Sequence, residues 1–217
     1  TLVGFVGFLA VVVLYWKKFF DFKNIRFYIK LIIAVIPALI FGALLKKHID
    51  SMLSNLTFIA IVMIAGGVIL LFADKLFTKN KIDSEEKIDY LTSFKIGLFQ
   101  VLSILFPGLS RSAATIIGGM SIGLTKKEAA EFSFFLAVPT MLAATAKSTL
   151  DFIQEETVSI AAPDIIALVV GCIISFFVAL LAVKTFIEII QKFGFRFFGI
   201  YRILLGTFIL LLLFYKN

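Results

Sequence analysis

The chain has 217 residues, of which 61% are hydrophobic and 16% are charged, and its mean hydropathy is +1.07. Soluble domains carry about 25% charged residues, so the composition excludes a soluble globular protein and indicates a multi-pass membrane protein. The net charge of +7 does not indicate nucleic-acid binding, because the basic residues form short clusters between apolar runs, where they orient helices and meet membrane lipids.

Six apolar runs predict six membrane-spanning helices. They cover residues 1–16, 31–45, 57–73, 129–146, 165–183 and 197–215. Each is near, or somewhat below, the roughly 20 residues that cross a bilayer. The single cysteine, Cys172, lies inside the fifth run, so we expect neither a disulfide nor a cysteine metal site. Because Thr1 already stands in an apolar run, we also expect that a segment upstream of it has been removed.

A further apolar stretch, residues 96–124, is interrupted at its middle by Pro107 and Gly108, and Arg111 follows closely. Non-helical backbone at membrane depth is tolerated only where protein or a watery cavity satisfies its polar groups. The stretch is therefore predicted to be a re-entrant helical hairpin that lines a cavity.

The distribution of basic residues supports this topology. If the hairpin enters and leaves on one side, the loops on that side hold 15 Lys and Arg residues and those on the other side hold four. The basic loops are residues 17–30, 74–95, 125–128 and 184–196. Cytoplasmic loops are enriched in Lys and Arg, so these loops are predicted to face inward and the C-terminus outward.

The chain also contains a weak internal repeat. Residues 8–11 and 135–138 share the sequence Phe-Leu-Ala-Val, and the span at Leu31 has a counterpart at Ile165. We predict a single integral membrane domain over residues 1–217, in which residues 1–94 and 95–217 are inverted repeats of three spans. In this interpretation the first repeat lacks its own re-entrant hairpin.

Arg111 is the strongest candidate for chemistry, because an ionisable group at membrane depth is costly. Ser110 and Ser112 flank it, Thr115 follows one helical turn later, and Gly108 lies in the break before it. Backbone amides at a helix start, hydroxyls and a guanidinium fork together form a phosphate-binding arrangement. The alternative is an arginine that only satisfies carbonyls at a helix break.

Two positions on other segments could contact the same phosphate. Gln100, seven residues before Pro107, either points into the cavity or packs between helices. Arg202 is either a second phosphate contact or a residue that extends to the inner surface beside Arg196. Tyr201, next to Arg202, is a further candidate.

Two other titratable residues have competing interpretations. Glu131 lies four residues after Lys127, so it either contributes to the site or forms an ordinary ion pair along one helix face. His48, the only histidine, follows two lysines in a short loop and is interpreted as an interfacial residue rather than a catalytic one.

Residues 107–116, Pro-Gly-Leu-Ser-Arg-Ser-Ala-Ala-Thr-Ile, resemble the Pro-Gly-x-Ser-Arg-Ser-x-x-Thr motif of the undecaprenyl-pyrophosphate phosphatases, the bacitracin-resistance family. The surroundings are similar too: Phe-Gln at 99–100, Gly-Gly-Met at 118–120, Glu-Phe-Ser-Phe at 131–134, Leu-Ala-Val-Pro at 136–139 and Ile-Tyr-Arg at 200–202. The resemblance covers the whole chain.

The resemblance implies hydrolysis of undecaprenyl pyrophosphate to the monophosphate and phosphate, from a cleft facing the outer side of the bacterial inner membrane. It assigns Arg111 and Ser110 as catalytic residues and implies assistance by a divalent cation, magnesium or calcium. The expected partners are the polyprenyl pyrophosphate lipid and a second copy of the chain in a homodimer.

One part of the family's pattern is missing. The N-terminal hairpin with two Glu residues, a Pro-x-Ser-Ser-x-Gly run and a His has no match here, and the metal ligands are expected to lie in it. We therefore expect the 217-residue chain to be impaired in hydrolysis. The alternative function is a transporter or flippase for a phosphorylated lipid, because inverted repeats with broken helices are typical of transporters. A purely structural membrane subunit would not explain Arg111.

Overall fold

The computed structural model describes residues 2–77, 80–154 and 162–216. This part of the chain is almost entirely helical, with one three-residue 3-10 turn and one isolated β-bridge as its other regular structure. The ten helices are α1 (Leu2–Leu14), α2 (Trp16–Phe19), α3 (Ile25–Leu44), α4 (Lys46–Leu53), α5 (Leu56–Leu76), α6 (Tyr90–Leu105), α7 (Arg111–Ile122), α8 (Lys126–Gln154), α9 (Ala162–Phe193) and α10 (Arg196–Lys216). The all-α prediction is confirmed.

Five helices in the described part are long and apolar enough to cross a membrane. The candidate spans are Ile25–Leu44, Leu56–Leu76, Lys126–Asp151, Ile165–Phe193 and Arg196–Tyr215. Such helices can cross because every backbone hydrogen bond is made within the helix. The chain is therefore a multi-pass membrane protein. The predicted first span is a 13-residue helix, α1, which is shorter than a span, so the count of six is not confirmed.

The predicted interruption of residues 96–124 is confirmed. Helix α6 ends at Leu105 and α7 begins at Arg111, and the two helices pack against each other. At 1.5 Å per residue, α6 is roughly 24 Å long and α7 roughly 18 Å, and neither reaches across a hydrocarbon core of about 30 Å. The hairpin is thus present, whereas its re-entry into the membrane and the inverted repeat stay predictions.

The chain forms two compact units, each built from two stretches of sequence. The first unit comprises Thr1–Ile25 and Phe134–Glu188, and the second comprises Arg26–Ser133 and Ile189–Asn217. The division into repeats at residue 95 also stays a prediction. His48 lies on α4, and its side chain is outside the described part, as are residues 155–161.

In the first unit, α1 packs closely against α9 through small residues. The Ser175 hydroxyl donates to the Val3 carbonyl at 2.9 Å, and a side chain added at Gly7 would meet Ser175. Small residues allow such approach in membrane helices, where close packing replaces the hydrophobic effect. In the same unit, the Tyr15 and Phe135 rings pack edge to face, with 4.9 Å between their centroids.

In the second unit, α5 and α10 form the most extensive helix pair, and glycines line it. A Cβ built on Gly67 would lie 2.8 Å from the Gly199 carbonyl oxygen, and one on Gly206 would lie 3.0 Å from that of Ala60. The hairpin is attached to α3 in the same manner, because a Cβ on Gly97 would overlap the Ala34 backbone. These contacts place the hairpin turn beside α5 and α10.

Residues 80–89 join the two outer ends of the hairpin. The Asn80 amide donates to the carbonyls of Met120 at 2.9 Å and Leu124 at 2.6 Å, at the end of α7. The same segment carries Glu85, which is 5% exposed and pairs with the buried Lys30 at 2.7 Å. Both ends of the hairpin therefore meet one short segment, and Lys30, counted above among loop charges, lies inside α3.

Candidate functional site

The turn between α6 and α7 is shaped by Pro107 and Gly108. Gly108 has φ of 100°, a left-handed conformation that is strained for any residue with a side chain. A Cβ there would also collide with the carbonyl of Ile59 on α5. The Leu109 amide donates to the Phe106 carbonyl at 2.9 Å and closes the turn. Glycine is required at this position for both backbone conformation and close approach.

Helix α7 starts directly after this turn with the three polar residues that the sequence predicted. The Ser110 hydroxyl accepts a long hydrogen bond, 3.4 Å, from the Ala113 amide and so caps the helix. Ser110, Arg111 and Ser112 are each half-buried, so a ligand can reach them. A helix N-terminus carries partial positive charge, and the Arg111 guanidinium adds a full charge beside it. This arrangement is suited to an anion.

Arg202 reaches the same turn from α10. Its Nη2 atom donates to the Gly108 carbonyl oxygen at 2.5 Å. Gly66 on α5 leaves room for this contact, since a Cβ there would be 3.2 Å from Nη2. The structure thus directs the Arg202 guanidinium to the turn rather than along α10 toward Arg196.

Thr115 is turned away from the turn toward α8. Its hydroxyl lies 2.7 Å from the Ser133 hydroxyl, and the two residues are 2% and 3% exposed. The Thr115 hydroxyl also lies 3.0 Å from the Arg111 carbonyl. This hydroxyl pair links the first turn of α7 to α8. The sequence predicted no role for Ser133, which stands in the Glu-Phe-Ser-Phe run that resembles the family. Its partner lies 18 residues away on another helix, so sequence spacing does not reveal the pair.

The remaining candidates lie in different surroundings. Gln100 is 1% exposed on α6, and Glu131 is 7% exposed, with its carboxylate 3.8 Å from the Lys127 ammonium. The ion pair expected as the alternative for Glu131 is therefore present. Tyr201 is 62% exposed and lines an apolar groove of about 500 Å³ with aromatic residues that include Phe197.

No group of three or more His, Cys, Asp or Glu residues that could hold a metal occurs among the described residues. Hard divalent cations require several oxygen ligands, and the hairpin turn instead presents two arginines. The described residues at the turn therefore do not fit a metal.

Comparison with known proteins identifies the family. The family model described as "Bacitracin resistance protein BacA" matches residues 2–208. The chain belongs to this family.

Relatives in the BacA family align along nearly the whole chain. A protein from Flavobacterium psychrophilum is 48% identical over 207 residues, which cover 95% of this chain and 77% of the relative. One from Flavobacterium johnsoniae is 47% identical over 208 residues, with the same coverage. One from Bdellovibrio bacteriovorus is 44% identical over 216 residues, covering 99% of this chain and 80% of the relative. Each of these relatives is named undecaprenyl-diphosphatase.

In this BacA family member, the structure brings together part of the expected site. Gly108, Ser110, Arg111 and Ser112 lie at one turn, and Arg202 joins them through the Gly108 carbonyl. Thr115 is close to these residues in sequence, but its hydroxyl hydrogen-bonds to the Ser133 hydroxyl instead. The assembled groups can hold an anion by charge and hydrogen bonding, and an anion held there lies beside half-buried hydroxyls.

Proposed function

We propose that this membrane protein hydrolyses undecaprenyl diphosphate to undecaprenyl phosphate and inorganic phosphate. Relatives named undecaprenyl-diphosphatase, 47% and 48% identical over 95% of the chain, support the reaction. The observation that carries the proposal within the chain is Arg111, half-buried at the N-terminus of α7 after a turn in an apolar hairpin. That position suits the diphosphate of a lipid whose tail stays in the membrane.

In the proposed reaction, water adds to the terminal phosphorus and the bond from that phosphorus to the bridging oxygen breaks. The bridging oxygen leaves with the lipid monophosphate, the terminal group leaves as inorganic phosphate, and the proton lost from water passes to the medium. Catalysis of phosphoryl transfer depends largely on positioning and on stabilising charge on the oxygens. In our proposal Arg111 and the α7 amides supply that stabilisation, with Ser110 and Ser112 orienting the phosphate.

Several finer features belong to the proposal. The uneven distribution of basic loops supports an orientation in which those loops face inward. The family resemblance implies a location in the bacterial inner membrane with the cleft facing outward. A divalent cation and a homodimer stay predictions from the family resemblance. The transporter alternative depends on the inverted repeat, which stays a prediction.

The proposal is tested by phosphate release in detergent, where hydrolysis needs no sealed membrane. The protein is assayed with undecaprenyl diphosphate, and the Flavobacterium johnsoniae relative is assayed in parallel as the positive control. We expect release by both proteins. Phosphate release by the relative alone would contradict the proposed function.

The expectation that this 217-residue chain is impaired in hydrolysis stays a prediction, and the same assay tests it. We expect it to release phosphate more slowly than the Flavobacterium johnsoniae relative, because the described residues supply no cluster of three or more metal ligands. Equal metal-dependent rates for the two proteins would show that the residues named here suffice for the chemistry.

A further inference from the structure

The contact between Arg202 and the hairpin turn supports the backbone of the turn. The 2.5 Å hydrogen bond joins Arg202 Nη2 to a backbone carbonyl 94 residues away. Two glycines of α5 line the path of the side chain: a Cβ on Gly66 would be 3.2 Å from Nη2, and a Cβ on Gly67 would be 3.2 Å from the Arg202 Cβ. The side chain thus runs through a slot of small residues to the turn.

The Gly108 carbonyl needs such a partner. It belongs to a residue in a left-handed conformation between two helices, so it makes no helical hydrogen bond. A carbonyl at membrane depth without a donor is costly, and a charged donor gives a stronger bond than a neutral one. The bond also fixes the orientation of the peptide that joins Gly108 to Leu109, one residue before Ser110.

We propose that Arg202 is a positioning residue: it holds the Gly108 carbonyl so that the start of α7 presents Ser110 and Arg111 to the substrate phosphates. The inference rests on the proposed function for its kinetic part and departs from the expectation that Arg202 contacts phosphate itself. Its action is indirect, through the turn. The Ile59 backbone also lies against the turn, where a Cβ on Gly108 would meet its carbonyl, but a carbonyl does not replace a donor.

Two substitutions at this position separate the roles. Arg202→Gln cannot extend a donor to the carbonyl, whereas Arg202→Lys keeps one charged donor on a long side chain. A single donor is sufficient for a carbonyl, while paired phosphate oxygens require the planar fork. Arg196→Gln is the matched control, because Arg196 is an exposed arginine at the start of the same helix.

Hydrogen–deuterium exchange of the substrate-free protein tests positioning without any assay of activity. We expect faster exchange at the Leu109 amide in Arg202→Gln, with wild-type exchange in Arg202→Lys and Arg196→Gln. A residue that only contacts phosphate would leave exchange unchanged in the absence of substrate. Unchanged exchange in Arg202→Gln would overturn the proposal.

Kinetics with undecaprenyl diphosphate supply the second measurement. A displacement of about 1 Å in a catalytic group can lower turnover on the order of a hundredfold. We expect kcat of Arg202→Gln to fall by roughly tenfold to a hundredfold with a smaller change in KM, and Arg202→Lys to recover most of it. Loss of turnover in Arg202→Lys equal to that in Arg202→Gln, with normal exchange in both, would identify a direct phosphate contact and overturn the inference.

A second variant covers the case in which Arg202→Gln does not fold. Gly66→Ala keeps every charge but places a Cβ 3.2 Å from Nη2 and 3.0 Å from Leu109 Cδ1. We expect it to displace the guanidinium and to raise exchange at Leu109. Wild-type exchange and turnover in Gly66→Ala, with the bond from Arg202 displaced in its structure, would overturn the proposal. Inactive wild-type protein with the expected exchange pattern would reject the proposed function alone.

Discussion

Two of the helix-joining turns in the second unit contain a glycine of positive φ and are bound by a charged side chain distant in sequence. At the α9–α10 turn, Gly194 has φ of 71° and the neighbouring Phe195 amide donates to Asp74 Oδ2 at 2.7 Å. At the α6–α7 turn, Gly108 has φ of 100° and its carbonyl accepts from Arg202. The α9–α10 turn therefore binds a carboxylate of the chain, and the α6–α7 turn binds a guanidinium.

The difference indicates which turn is built for a ligand. At the α9–α10 turn a carboxylate accepts from the amide before α10, and Lys126 pairs with Asp74 at 2.6 Å. The amides at the start of α7 are capped by the neutral Ser110 hydroxyl, with Arg111 beside it. Anions are stabilised at helix N-termini. The α9–α10 turn already has a carboxylate of the protein in that place, whereas the α6–α7 turn retains the character of an anion site.

The largest effect is expected from Arg111→Lys. The substitution keeps the charge and removes the planar fork that can hold two phosphate oxygens. We expect kcat/KM for undecaprenyl diphosphate to fall on the order of a hundredfold, as when one transition-state donor is removed. Arg196→Lys, on an exposed arginine, serves as the control and should retain turnover. Wild-type turnover by Arg111→Lys would remove the functional distinction between the two turns.

The next largest effect is expected at the other turn, on stability. Asp74→Ala leaves the Phe195 amide without its charged acceptor and Lys126 without its partner, at a cost of about 2 kcal/mol. Thermal unfolding in detergent measures this loss, and Asp74→Asn, which keeps an acceptor, should lose less. Turnover per folded molecule should be unchanged. A large loss of turnover without a loss of stability would show that Asp74 has a role in the reaction.

The two turns also differ in how well sequence predicts them. Pro107, Gly108 and Arg111 stand together inside an apolar stretch, so the break and its charge are visible in one window. Asp74 and Gly194 lie more than a hundred residues apart, and each alone is ordinary for a helix end. The bond from Arg202 to Gly108 is equally invisible in sequence, because it depends on the packing of α5 against α10.

Helix lengths and charge burial show the same limit. Apolar composition predicted the candidate spans well, since each span is apolar along its length. Within the predicted first span, however, the 13-residue helix α1 ends at Leu14 and a separate short helix begins at Trp16. The sequence predicts that Lys30 lies in a basic loop, whereas it is buried in α3 and pairs with Glu85, 55 residues away. Partners that are distant in sequence decide both outcomes, and one sequence does not reveal them.

A smaller effect is expected from the buried hydroxyl pair behind α7. Thr115→Val leaves the Ser133 hydroxyl, 3% exposed, without this partner, and should destabilise the protein by roughly 1–2 kcal/mol. Ser133→Ala should cost less, because the Thr115 hydroxyl retains backbone carbonyls. We expect both variants to keep turnover per folded molecule within a few-fold of wild type. If Thr115→Val alone lost turnover, Thr115 would be a phosphate ligand, as the sequence suggested.

The smallest effect is expected at the start of α6, the other arm of the hairpin, whose cap resembles that of α10 rather than that of α7. The Asp89 carboxylate accepts from the Thr92 amide at 2.7 Å, and hydrogen bonding to the side chain and then to the backbone of Thr92 lowers the pKa of Asp89 from its usual value. Removing such a cap costs about 1 kcal/mol, so Asp89→Ala should lower stability by that amount at neutral pH.

Because the folded pKa of Asp89 is depressed, the stability linked to its ionisation is present above the unfolded value of about 3.9 and is lost as pH falls through the folded pKa. Unfolding measured from pH 7 to pH 3 should therefore show a decrease in wild type below about pH 4 that is smaller in Asp89→Asn, where the cap does not titrate. Equal decreases in both proteins would mean that the carboxylate cap contributes nothing through its charge, and α6 would then resemble α7 instead.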